Sequence, residues 1–138
     1  MTQLVFLGFI GLFFILILQI ITFRSILTLR KVKGVDQFSP HGDDYTPYYH
    51  RLIRTHANLY ENTPIWLGLL GYALLTKQET ITNGLALWFL LARVMQVCIH
   101  LVSTHPWAIY IRFTFFSLQI GIGLYWVSQF IGLALSLI

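Results

Sequence analysis

The stretch Arg51-Leu52-Ile53-Arg54-Thr55-His56-Ala57-Asn58-Leu59-Tyr60-Glu61-Asn62-Thr63-Pro64 runs without a break into the apolar segment from Ile65 to Leu75. A polar run continuous with an apolar one reads as the opening of a membrane-spanning helix. Arg51, Arg54, Asn58 and Glu61 are spaced i, i+3, i+7, i+10. At about 100° per residue they fall within about 80° of one another, so they form one stripe on one helix face. Ionisable groups at membrane depth are costly and persist where they face protein, water or a ligand. The rest of the chain has to supply what this stripe faces.

Working outward, the composition is that of a membrane protein. The 138 residues are 57% hydrophobic and 10% charged, and the mean hydropathy is +0.71. A soluble domain carries roughly a quarter charged residues. The length allows one domain, residues 1–138, with no room for separate membrane and soluble modules. The formal charge of +4 and pI near 9.5 do not argue for a nucleic-acid partner, because the few basic residues flank or interrupt apolar runs. Cys98 is the one cysteine, which excludes an internal disulfide; its apolar neighbours Val97 and Ile99 predict a buried, inert thiol.

Four spans follow from the apolar runs. Residues 4–23 are nearly all apolar and long enough to cross a bilayer, and Arg24, Arg30, Lys31 and Lys33 come next. No positive region precedes this run and no small-residue cleavage site follows it, so it is read as a retained span. Gly34, Pro40 and Gly42 mark a polar loop up to Thr46. Pro47 suits a first helical turn, with Asp44 or Thr46 as its cap, and a helix over 47–75 would be about 45 Å long. Pro64 predicts a kink in it. A third span covers 81–102, and after a turn at Ser103 to Pro106 a fourth covers 107–137. The Lys and Arg residues concentrate in the first loop, while the far side offers only Lys77. That bias puts the first and third loops in the cytoplasm and both termini outside it. Short termini without an evident retention tail point to a bacterial inner membrane.

Three helices each carry a polar stripe toward the cytoplasmic end. Arg93, Gln96 and His100 are spaced i, i+3, i+7 on the third; Arg112 and Gln119 are i, i+7 on the fourth. Arg112 lies roughly 8 Å and Arg93 roughly 15 Å in from that end, with Asn58 and Glu61 at comparable depth. The charges do not balance: Arg51, Arg54, Arg93 and Arg112 are opposed by Glu61 alone. One arginine is expected to pair with Glu61. The others keep their protons and need an anion, either a small polyanionic ligand or lipid phosphate.

Blander roles stand beside each of these residues. Arg51 either binds ligand or snorkels to the headgroups. Arg54, Asn58 and Glu61 either face a ligand or staple helices together. His100 either donates to a ligand or bonds a carbonyl at the interface. His56 lies off the stripe and is read as structural. The five histidines share no helical face and have no cysteine partners, so no zinc site is expected. Glycine-rich phosphate loops and the serine-nucleophile elbow do not occur.

Arg51-x-x-Arg54-x-His56-x-Asn58-x-x-Glu61 followed by Pro64 resembles the second-helix signature of the MAPEG family, the membrane-associated proteins in eicosanoid and glutathione metabolism. Four spans, a long first loop and an arginine in the third span are similar to the same family over nearly the whole chain. The resemblance implies an all-α four-helix transmembrane bundle assembling as a homotrimer, with glutathione at subunit interfaces near the cytoplasmic face. By position it implies that Arg54, Asn58, Glu61 and Arg93 bind the tripeptide. Arg51, Gln96 and His100 join them as candidates, and Arg112 corresponds to the arginine that stabilises the glutathione thiolate. A cation beside a thiol lowers its pKa, and the thiolate is the nucleophile.

Two features depart from eicosanoid-forming members: Gln96 and His100 stand on the third helix in place of histidine or tyrosine, and Phe113 and Phe116 follow Arg112 where polar residues are usual. The expected function is therefore a glutathione-dependent membrane transferase or peroxidase acting on lipophilic electrophiles or hydroperoxides, without metal. The alternative is a non-enzymatic lipid-binding or scaffold member of the same family.

Overall fold

The computed structural model describes residues 1–136 and contains four helices in chain order: α1 (Thr2–Leu29), α2 (Pro47–Leu75), α3 (Glu79–Val102) and α4 (Pro106–Leu135). Residue 137, the end of the expected fourth span, lies outside the described residues. The first helix runs six residues past the expected 4–23, so Arg24 belongs to α1 and the loop begins at Arg30. By length and composition α1, α3 and α4 are able to cross a membrane. Expected as the second of four spans, α2 is equally long but does not join that set, because its first half carries the polar stripe.

Local chemistry explains the helix ends. The Thr46 hydroxyl accepts the Tyr49 N–H at 3.2 Å and Pro47 opens the first turn, which settles the cap on Thr46. Neither α1 nor α2 ends on glycine. Lys31 and Lys77 take positive φ (54° and 58°), and the amide after Lys77 returns to the Ala73 carbonyl at 2.8 Å. Inside α2, Pro64 lacks the N–H that would bond the Tyr60 carbonyl.

Packing is uneven around the bundle. α3 touches all three other helices and lies most extensively against α4; α1 packs on α2 and α3; α2 and α4 meet only briefly. Where they meet, Trp66 lies over Gly123, and its ring makes an edge contact with Phe89 (5.1 Å between centroids), which in turn packs on Trp126 at 5.5 Å. Between apolar helices in lipid the stabilisation comes from such close contacts rather than from water exclusion. The outward faces are also apolar: Leu4, Phe14 and Leu18 on α1, Trp88 and Leu91 on α3, and Tyr110 and Leu124 on α4 are exposed. Cys98, expected to be buried, lies on this outer surface. Its apolar neighbours gave the wrong reading because lipid-facing and core positions have the same polarity.

At the loop end, side chains tie α1 to α2. Arg24 Nε donates to the Tyr49 hydroxyl at 2.9 Å and the Tyr48 hydroxyl donates to Gln19 Oε1 at 3.0 Å. Within the loop Lys33 pairs with Asp44, whose carboxylate also accepts the Ser39 N–H at 3.0 Å. The Lys33 hydrogen bond, ahead of that from Ser39, holds the Asp44 carboxyl below the usual range. At the other end, the Thr2 N–H and hydroxyl both donate to Asn83 Oδ1 at 2.9 Å, fastening α1 to α3.

Candidate functional site

Because α2 and α4 diverge from their crossing at Trp66 and Gly123, a cleft opens between them toward the loop end, floored by α3. Its volume is about 480 Å³, within the range of small-molecule sites. Four turns of α2 supply His50, Arg51, Arg54, Ala57, Asn58 and Glu61; α3 and the turn after it supply Gln96, His100 and Thr104; α4 supplies Ile109, Arg112, Phe113 and Phe116. The structure thus brings together seven of the eight residues singled out in the sequence.

The eighth is Arg93. It is fully buried (0% exposed) behind the cavity wall and does not line it. One guanidinium nitrogen donates to Gln96 Oε1 at 2.9 Å and to Gln119 Oε1 at 3.5 Å; the other donates to the carbonyls of Asn58 (3.1 Å) and Leu59 (3.4 Å). The guanidinium also lies 5.7 Å from the centre of the Phe9 ring. Arg93 therefore joins α2, α3 and α4, with α1 against its face. This holds the pre-proline segment of α2, and with it Asn58, at the cavity.

Arg51 does two things at once. Its Nε donates to the Leu101 carbonyl at 2.7 Å, satisfying one of the free acceptors at the end of α3, while the side chain lines the cavity. Arg54 and Glu61 are exposed at the mouth and make no side-chain hydrogen bond within the described residues. The expected ion pair between Glu61 and an arginine does not form; among the described residues the one ion pair is Lys33–Asp44. Arg112 is half-buried and its Nε finds no partner among the described residues. Counting the histidines as neutral, three guanidiniums against one carboxylate leave the lining with a surplus of two positive charges. His56 stays off the cavity, its ring 4.9 Å from that of Phe13 on α1.

His50, Ala57 and Thr104 were missed from sequence, as was the apolar wall of Ile109, Phe113 and Phe116. A signal existed for most of them. His50, Arg54, Ala57 and Glu61 continue the same helical face, and Ile109, Phe113 and Phe116 flank Arg112 at i, i+4, i+7. The cavity is accordingly two-sided, with donors and one carboxylate from α2 and α3 facing an aromatic wall broken by a single guanidinium from α4. Among the described residues no group of His, Cys, Asp and Glu is assembled to hold a metal ion.

No curated protein and no solved structure matches this chain. A family model does match, over residues 4–132, from the first helix to the last turns of the fourth. Its span takes in every residue lining the cavity, and the chain belongs to the MAPEG family.

Proposed function

We propose that this protein is a glutathione-dependent membrane transferase or peroxidase acting on lipophilic electrophiles or hydroperoxides. The observation that carries the reading is the two-charge surplus of the cavity lining. Glutathione in its reactive form, with two carboxylates, one ammonium and a thiolate, carries two negative charges to meet it. Arg51 and Arg54 suit the carboxylates, Glu61 suits the ammonium, and Asn58, Gln96 and His100 supply neutral hydrogen bonds. Arg112, alone among apolar neighbours, holds the thiolate, and the aromatic wall beside it receives an apolar second substrate from the bilayer.

In a transfer reaction the thiolate sulfur forms a bond to the electrophilic carbon, the leaving group departs with its electron pair, and the thiol proton passes to solvent. With a hydroperoxide, the thiolate attacks the terminal oxygen and the O–O bond breaks. A proton from solvent completes the alcohol, and a second glutathione converts the resulting sulfenic acid to the disulfide with release of water. The protein works as a homotrimer with its cavities at subunit interfaces, and as a multi-pass protein of a bacterial inner membrane. The basic first loop supports placing the first and third loops in the cytoplasm and both termini outside.

The test is made on the purified chain in detergent, recording the thiolate absorbance of bound glutathione and its reaction with a chloronitrobenzene. Wild type gives both and Arg112→Ala loses both; retention of both by Arg112→Ala would sink the mechanism. A monomer by mass photometry in mild detergent would count against interfacial sites. The lipid-binding alternative draws on one observation, that Arg112 is the sole polar residue α4 gives the cavity. Fatty-acid binding with no thermal shift from glutathione would favour it.

A further inference from the structure

We infer that Gln96 is a fixed hydrogen-bond donor that reads an acceptor oxygen of the bound tripeptide, and that Arg93 is the positioning residue that fixes it. The inference rests on the glutathione reading above and adds the polarity of one point of the site. A guanidinium only donates hydrogen bonds, so an amide facing Arg93 has to present oxygen. Gln96 Oε1 accepts from Arg93 at 2.9 Å and from Gln119 Nε2 at 3.0 Å, which uses both of its lone pairs. Gln119 is oriented in the same way, with its oxygen toward Arg93 and its Nε2 also donating to the Phe115 carbonyl at 3.0 Å.

Turning the Gln96 amide over would set its NH₂ group against two other donors, so the network allows one orientation. What remains of Gln96 is its Nε2, which has no partner among the described residues and is not sealed from the cavity that Gln96 lines. The side chain therefore offers donors and no acceptor to whatever binds. Arg93 is a fully buried cation with no carboxylate partner among the described residues, and its charge polarises the amide and strengthens the N–H groups facing the cavity. The cavity floor is selective for a carbonyl or carboxylate oxygen. An ammonium is turned away from it and toward Glu61 at the mouth, which gives the tripeptide a direction.

Gln96→Glu provides the test, because stability and affinity are expected to move in opposite directions. A carboxylate there still accepts from Arg93 and Gln119 and gives the buried cation a counter-charge, so thermal stability of the full chain in detergent holds or rises. Its outward face becomes an acceptor, so glutathione affinity falls by roughly tenfold or more. Gln96→Leu is expected to weaken glutathione binding by about tenfold while S-alkyl substitution of the ligand leaves that ratio unchanged. Arg93→Lys frees the amide: it weakens binding more when Gln96 is present than in the Gln96→Leu background, where only its hold on Asn58 is left to lose.

Equal affinity for glutathione in wild type, Gln96→Leu and Gln96→Glu overturns the donor role. Fully additive effects of Arg93→Lys and Gln96→Leu overturn the positioning role and leave Arg93 a structural cation. Absence of glutathione binding by wild type is a separate result that removes the glutathione reading itself.

Discussion

Adding one methyl group at Gly123 probes the contact from which the cavity opens. A Cβ there would lie 2.6 Å from Cζ3 and 3.2 Å from Cη2 of Trp66, about 1 Å inside the ordinary carbon–carbon contact distance. The indole has little room to move, since Trp66 is 1% exposed and its ring rests against Phe89 at 5.1 Å. Overpacking of this kind costs about 1–3 kcal/mol. Alanine returns roughly 0.5–1 kcal/mol over glycine within a helix. The net expectation for Gly123→Ala is a loss of up to about 2.5 kcal/mol, centred on about 1 kcal/mol or roughly 3 °C in Tm for a chain of this size. Gly121, two residues away on the same helix with open space around its Cβ position, is the control, and Gly121→Ala is expected to be neutral or stabilising. Thermal unfolding of both variants in one detergent measures the difference, and Trp66→Leu combined with Gly123→Ala is expected to recover part of the loss. Should Gly123→Ala prove as stable as Gly121→Ala, the close approach of α2 to α4 is refuted.

Other expectations concern the site and the helix ends. Arg51→Met removes the 2.7 Å bond to the Leu101 carbonyl and is expected to cost roughly 1–2 kcal/mol; hydrogen exchange would report faster opening of the last turn of α3, and glutathione titration a weaker complex. The Lys33–Asp44 tie has a defined pH dependence. Because the Asp44 carboxyl is depressed chiefly by the Lys33 hydrogen bond, its contribution is present above the unfolded carboxylate value near pH 4 and is lost as the pH falls through the lower folded value. Melting curves of wild type and Asp44→Asn are therefore expected to differ at neutral pH and converge as the pH falls through the depressed folded value. Lys77 holds φ at 58° at the end of α2, so Lys77→Gly is expected to stabilise the chain by about 1 kcal/mol at most, read as a small rise in Tm; a fall would show that the Lys77 side chain makes a contact worth more than the backbone relief.

Much of this protein is legible in one dimension. Helix boundaries fell within a few residues of the apolar runs, apart from the carboxy-terminal extension of α1. The stripe of Arg51, Arg54, Asn58 and Glu61 reached the same cavity as Gln96, His100 and Arg112. These inferences depend on local periodicity, because residues three and four apart share a helix face whatever the helix packs against. Inside and outside were harder. Cys98 was placed by its neighbours, and in a bilayer apolar neighbours surround buried and lipid-facing residues alike. Only its angular separation from Gln96, about 200° around α3, pointed outward.

The sequence by itself determined that three polar stripes lie on three helices toward one end of the bundle, and that their arginines outnumber their carboxylates. Tertiary structure alone decided how those arginines divide. Arg93 shares a face with Gln96 and His100, yet it sits where α2, α3 and α4 converge: its two terminal nitrogens bond to Gln96, Gln119 and two carbonyls of α2, and its buried Nε has no partner among the described residues. Arg54 and Arg112 sit where α2 and α4 diverge and line the open cavity. Periodicity specifies the direction in which a side chain leaves its helix. Whether it meets protein or an open cleft depends on how far apart the neighbouring helices lie at that level, and here that separation is set by the contact of Trp66 with Gly123.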